Sequence, residues 1–236
     1  MQFGFPTGKL SKYLNLQNAV DRNVSIGDGK RCIEFSAIKF HELEHILIEL
    51  TECNVYIDHG ISEFSFSIHL PTNFNHEQEI QIVDMLNHYD TGDANLILHP
   101  DTIHNFELWQ DFRGMVLIEN MDLRKKDGIT VGEMETIFKK LPDANMCFDI
   151  GHARQVDPSM SLAVDIHEAF FDKILEIHIS NVHHTGAHHH MNTESMSDFR
   201  KVLRARDHKM TSVIIETPSI LSKMSTDLNF VELSFS

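Results

Sequence analysis

Basic residues are scarce in this chain: 20 Lys and Arg stand against 35 Asp and Glu, a formal charge of −15. Nonspecific affinity for nucleic acid rests on Lys and Arg against phosphates, so this balance disfavours a large phosphate-binding surface and argues against nucleic acid as a partner. Cysteine is sparse too. Cys32, Cys53 and Cys147 are widely spaced and form no disulfide framework, which makes a reducing, cytoplasmic setting the expected one. No apolar run is long enough to span a bilayer, and the start Met-Gln-Phe-Gly-Phe-Pro lacks a signal-peptide pattern, so no membrane association is expected. Also missing is any Gly-x-Gly-x-x-Gly or other phosphate-cradling loop, which removes the main support for an open doubly wound sheet.

What is present is a hydrophobic content of 42% in 236 residues, enough for one sizeable core in a single domain over residues 1–236. Eight short apolar, β-branched or aromatic runs recur, at Gln2–Phe5, Cys32–Ser36, Phe64–Leu70, Asn95–His99, Met115–Asn120, Asn145–Ile150, Leu175–Ser180 and Ser212–Glu216. Between them, Ala37–Glu52, Glu77–Tyr89, Val131–Leu141, Ser161–Phe171 and Ser195–Arg206 place apolar residues at helical spacing. Thr130 followed by Glu133 is a capping-box pattern. Asn15–Lys30 reads as a frayed helix and a Gly-Asp-Gly turn. Most strand starts lie about one βα unit apart, and eight strands alternating with helices predict an α/β fold, the (β/α)₈ TIM barrel. Amphipathic outer helices leave a homo-oligomer open.

Histidine is abundant, with 17 residues. In a barrel, chemistry sits at the C-terminal strand ends, and six successive strands end in His69, His99, Glu119-Asn120, Asp149-Ile-Gly-His152, His178 and Glu216. Burying such groups without partners is costly, so they are expected to bind a cation or each other. Asp149 with His152 is a weak pattern alone; six aligned ends make a site. Glu119 and Glu216 are the natural acid–base pair, and pure ligation is the competing reading. Asn120 is expected to hold a ligand or a substrate hydroxyl. Arg154, entering the mouth after His152, is the best candidate for binding an anion, because Arg124, Lys125 and Lys126 are flanked by Asp122 and Asp127 as in a solvated turn.

The ordered set Glu-Asn, Asp-x-x-His, His-x-Ser-Asn and Glu-Thr-Pro resembles the xylose isomerase-like TIM barrels, from about the third strand onward. That group includes sugar and sugar-phosphate isomerases and epimerases, and endonuclease IV of AP endonuclease family 2. The epimerase branch implies one metal on Glu119, Asp149, His178 and Glu216, substrate contact by His152, and proton exchange by the two glutamates next to a carbonyl. The endonuclease IV branch implies three zinc ions, with His69, His99, His152 and His189 as further ligands; there the chain departs from the pattern, with Ala187 where an aspartate belongs and His188 or His190 as alternative ligands. The resemblance therefore implies a metal-dependent isomerase or epimerase of a small sugar, sugar phosphate or related polyol, using one to three divalent ions (Zn, Mn, Mg, Co or Fe). The alternatives are a phosphoester hydrolase with a two- or three-metal centre, a multinuclear iron oxidase and a non-catalytic binding barrel.

Overall fold

A computed structural model describes residues 1–7, 31–52, 64–208, 211–218 and 220–236. The expected frayed helix at Asn15–Lys30 lies outside the described residues. Eight parallel strands close into a barrel: β1 (Gln2–Gly4), β2 (Arg31–Ser36), β3 (Phe64–His69), β4 (Asn95–Leu98), β5 (Val116–Glu119), β6 (Asn145–Asp149), β7 (Ile174–Ile179) and β10 (Ser212–Ile215). Their neighbours follow chain order round the barrel, and β1 pairs with both β10 and β2. The eight-stranded barrel is thus the one expected from the runs. Strands such as Val116–Glu119 are buried at every residue, as parallel strands covered on both faces must be.

Around the barrel lie α1 (Phe40–Glu52), α2 (His76–His88), α3 (Val131–Lys140), α4 (Ile150–Val156), α5 (Ser161–Phe170), α6 (Thr193–Leu203) and α7 (Leu221–Ser234). Thr130 and Glu133 form the expected capping box on α3. The helix expected from Ser195 starts earlier, at Thr193, because Asn192 caps it by accepting from the Ser195 N–H. Between β4 and β5 stand two short 3₁₀ turns, Pro100–Thr102 and Phe106–Trp109. The fully buried carboxylate of Glu79 pins that connection, accepting from the backbone of His104 and Asn105 and from Trp109 Nε1. After β7 the chain adds a hairpin, β8 (Asn181–Val182) and β9 (His188–His189), turning at Gly186 with φ 76°. No helix among the described residues is long and apolar enough to cross a membrane.

Two layers of packing follow from strand alternation. The main core lies between strands and helices, with Phe35, Ile68, Leu96, Ile118 and Phe148 among its buried members. Ile97, Leu117 and Cys147 form a separate buried cluster. Each stands two residues before a strand-end residue, His99, Glu119 or Asp149, so they share its face and fill the barrel interior beneath it.

Candidate metal centre at the barrel mouth

The C-terminal ends of β5, β6, β7 and β10 bring four polar side chains to one place. Glu119, Asp149 and His178 are at most 1% exposed and Glu216 is partly buried, and one donor atom from each of the four lies within 4.8 Å of the others. Asp149 ends β6 and caps α4, its Oδ1 accepting from the His152 N–H at 2.7 Å. Gly151 is required in that turn, since a Cβ there would stand 2.5 Å from the Ser180 carbonyl oxygen and 2.8 Å from Val182 Cγ2.

Glu119 Oε2, Asp149 Oδ2, His178 Nδ1 and Glu216 Oε2 are buried and make no hydrogen bond. Yet His178 Nδ1 stands 3.5 Å from both Glu119 Oε1 and Glu216 Oε2. Close donor atoms whose lone pairs are not spent on one another fit a shared cation. Three carboxylates and one imidazole suit a divalent ion of the Mg, Mn, Fe, Co or Zn group.

A second set adjoins the first. His99 Nε2 and His69 Nε2 lie 2.9 and 3.3 Å from Glu119 Oε2, and the three residues form another group within ligand reach. Burial alone would raise the Glu119 carboxyl, but His99, His178 and His69 hold it well below the usual carboxylate range. Burial pushes the Glu216 carboxyl well up, and the charges of Asp149, Glu34 and Glu119 add to this against the pull of His178. His69 is pushed up to about 9: burial lowers it, but the Glu119 and Glu34 carboxylates outweigh that. Burial wins at His99, which is lowered. The same pocket thus shifts its two glutamates in opposite directions.

His152 reaches the same cluster, its Nδ1 lying 3.2 Å from Asp149 Oδ2, 3.5 Å from Glu119 Oε1 and 3.0 Å from the Asn120 carbonyl oxygen. Asn120 does not face the mouth. Its amide is fully buried and clamps the next strand, with Nδ2 donating to the Asp149 carbonyl and Oδ1 accepting from the Asp149 N–H, both at 2.8 Å. Of the two expected partners, a ligand or a substrate hydroxyl, the structure gives Asn120 the backbone of the candidate ligand Asp149. Arg154 also turns away: it pairs with Asp198 and Glu194 and donates to Asn181 Oδ1, because α6 presents acids beside it. The hairpin brings His188, rather than His189, to the mouth. Alternation in the hairpin leaves His189 exposed against His183 and turns His188 inward, where Nδ1 meets Ser180 Oγ at 2.8 Å and stands 3.6 Å from Glu216 Oε2. His190 binds Asp227 at 2.7 Å.

Glu34 and Glu176, each 1% exposed, escaped the sequence reading. His178 Nε2 lies 3.0 Å from Glu34 Oε2 and 3.2 Å from Glu176 Oε1, and Cys147 is within ligand reach of Glu176 and His178. A signal was available: Glu176 and Cys147 stand two residues before His178 and Asp149, on the same strand face.

Above the cluster opens a cavity of about 660 Å³, bordered by His69, His99, Glu119, His152, His188 and Glu216 on its floor. Its upper wall carries Arg124 and Lys125, both spent: Arg124 on Asp122, and Lys125 on Asp101 at 2.9 Å. The turn is exposed at Leu123, Arg124, Lys126 and Asp127, as expected, and two ion pairs brace it, with Asp122 buried.

No protein-family model and no curated protein sequence matches the chain. Solved structures do. A D-tagatose 3-epimerase-like protein superposes with a TM-score of 0.63 at 17% identity, covering 99% of this chain and 98% of that one. Endonuclease IV from Thermus thermophilus gives 0.64 at 15% identity, over 99% and 98%. The 3-keto-D-glucoside 4-epimerase YcjR from E. coli, in its apo form, gives 0.57 at 10% identity, over 98% and 99%. The fold is therefore the TIM barrel that the alternating strands and helices predict, and these three structures share it.

Proposed function

We propose that the chain is a metal-dependent isomerase or epimerase of a small sugar, sugar phosphate or related polyol. The observation that carries this reading is the convergence of four buried donor atoms, from Glu119, Asp149, His178 and Glu216, that make no hydrogen bond to one another, beneath a polar mouth. Two of them are glutamates on β5 and β10, three positions apart round the barrel. A divalent cation held by these four residues would polarise a substrate carbonyl or hydroxyl oxygen and so acidify the neighbouring C–H. Glu119 and Glu216 then take and return the proton: one removes it from the carbon next to the carbonyl, and the other delivers a proton to the opposite face or the adjacent atom. His152 and His188 border the same floor and orient the substrate hydroxyls. Two of the named neighbours are epimerases or epimerase-like, which supports the reaction class. Arg124, Lys125 and Arg154 are each committed to carboxylates, which favours an uncharged polyol over a phosphorylated one.

The test is proton exchange. Keto-sugars of several chain lengths, free and phosphorylated, are incubated in heavy water with each divalent metal, and deuterium at the carbon beside the carbonyl is read by NMR. Exchange that disappears in Glu216→Gln is the expected result. No exchange with any pairing would refute the reading.

A second reading has one observation of its own. His69 and His99 with Glu119 make a further ligand group beside the first, as a phosphoester hydrolase with two or three metals would need. Bound metal per chain separates the two: one equivalent for the isomerase, two or three for the hydrolase.

A further inference from the structure

The deep side of His178 carries groups that the proton transfer does not use. In the barrel layer two residues below the mouth, Ile97, Leu117 and Cys147 fill their positions without charge. Uncharged side chains therefore suffice at those positions of the barrel. Glu34 and Glu176 are the exceptions, and both flank one atom, His178 Nε2, at 3.0 and 3.2 Å. Burying two carboxylates is expensive unless each meets a donor; Glu176 Oε1 is hydrogen-bonded to His178 Nε2, and Glu34 Oε2, which makes no hydrogen bond, stands 3.0 Å from the same atom. Glu34 is itself fastened, its Oε1 accepting from Ser36 Oγ at 3.0 Å, while the Ser36 N–H donates to Thr7 Oγ1 at 3.1 Å.

A neutral imidazole has one donor nitrogen and one acceptor nitrogen. On the deep side of this fully buried ring stand carboxylate oxygens, which accept; on the mouth side Nδ1 has no hydrogen-bond partner and faces Glu119 and Glu216. We propose that Glu34 and Glu176 are positioning residues that hold His178 with its proton on Nε2, so that Nδ1 offers its lone pair to a divalent cation. The proposal rests on the cation-binding reading above. The two acids fix the ring's orientation and raise its basicity without touching substrate, as outer carboxylates do for metal-bound histidines. A competing occupant is a deep cation on Cys147, Glu176 and His178. Hydrogen bonding is favoured because two carboxylate oxygens already stand at hydrogen-bond length from Nε2, and one imidazole serves cations on both sides only by losing its last proton.

Zinc is the probe. In ¹⁵N-histidine-labelled, zinc-loaded protein, NMR should show His178 with Nε2 protonated and Nδ1 bound to metal. Calorimetric zinc titrations of Glu34→Gln, Glu176→Gln and the double variant should show partial losses in the single variants and a loss of about 10- to 100-fold in the double. The loss follows because a neutral amide oxygen accepts from the Nε2 proton more weakly than a carboxylate, and the amide NH2 can serve the other tautomer. Melting curves check that the variants fold; if the double variant does not, the spectrum of the unaltered protein decides alone. Unchanged zinc affinity in a folded double variant overturns this role and leaves the proposed reaction standing. So does a metal-bound Nε2, with a second zinc equivalent lost in Cys147→Ser. Absence of zinc binding in the unaltered protein overturns both.

Discussion

Replacing Asn120 by alanine removes the clamp between the ends of β5 and β6. The side chain is fully buried and its two hydrogen bonds to the Asp149 backbone are both 2.8 Å long. Truncation strips a buried N–H and a buried carbonyl of their amide partner, and orphaned groups of this kind cost about 1–3 kcal/mol each. Two of them give about 2–6 kcal/mol, with water entering the vacated space pulling the figure toward the lower end. In a protein of this length each kcal/mol moves the melting temperature by about 2–4 °C, so a fall of roughly 5–20 °C is expected. Urea unfolding followed by circular dichroism measures the free energy directly. Asn120→Asp separates the two bonds: one carboxylate oxygen still accepts from the Asp149 N–H, but the other now faces a carbonyl oxygen and repels it. It should therefore fall at least as far as the alanine variant despite its near-identical shape. A loss under about 0.5 kcal/mol in Asn120→Ala, the scale of an inert surface change, would refute the clamp.

Three further outcomes rest on the same geometry. His167 and His208 are buried with their Nε2 atoms 3.3 Å apart, and burial, with the charges of His208 and Arg206, lowers His167 to about 4 from an ordinary 6.5. A histidine kept neutral by folding gives stability that is complete above pH 6.5 and lost as pH falls toward 4. The loss is at most about 3 kcal/mol, and His167→Phe should remove it; identical urea midpoints against pH in the two proteins would contradict this. Gly151→Ala drives a methyl into the Ser180 carbonyl oxygen, 2.5 Å away, and should cost about 1–3 kcal/mol in thermal unfolding; an unchanged melting temperature would show the turn to be free to shift. His188→Ala should lower turnover of an established substrate about fivefold to tenfold, the scale of one lost hydrogen bond of about 1–1.5 kcal/mol. His189→Ala, on the outward face of the same hairpin, should leave it unchanged, and the reverse order would refute the orientation.

Much of the barrel was legible because parallel strands buried on both faces read as uninterrupted apolar runs, and all eight runs became barrel strands. The connections leaving the strand ends were less legible. The two-residue strands β8 and β9 are too short to show a period. Helix α4 begins directly after the last residue of its strand, so its seven residues merge with the run before them. At the site, Asp149, His178, Glu119 and Glu216 stood at strand ends, where chain order alone brings them together. Glu34 was missed because an acid inside a strand reads as outward-facing until the register is known, whereas Glu176 shared the face of His178, two residues on. The choice between His188 and His189 depends on hairpin pairing, and Asn120 and Arg154 turned from the mouth because of partners 27 or more residues away in sequence.

The central claim is that Glu119, Asp149, His178 and Glu216 share one divalent cation. A crystal soaked in cobalt or zinc, with anomalous data collected on both sides of the metal edge, tests it most directly. The account predicts a single strong peak within coordination distance of Glu119 Oε2, Asp149 Oδ2, His178 Nδ1 and Glu216 Oε2. A map with no peak among these four atoms, or with metal only on exposed histidines such as His183 and His189, would contradict it.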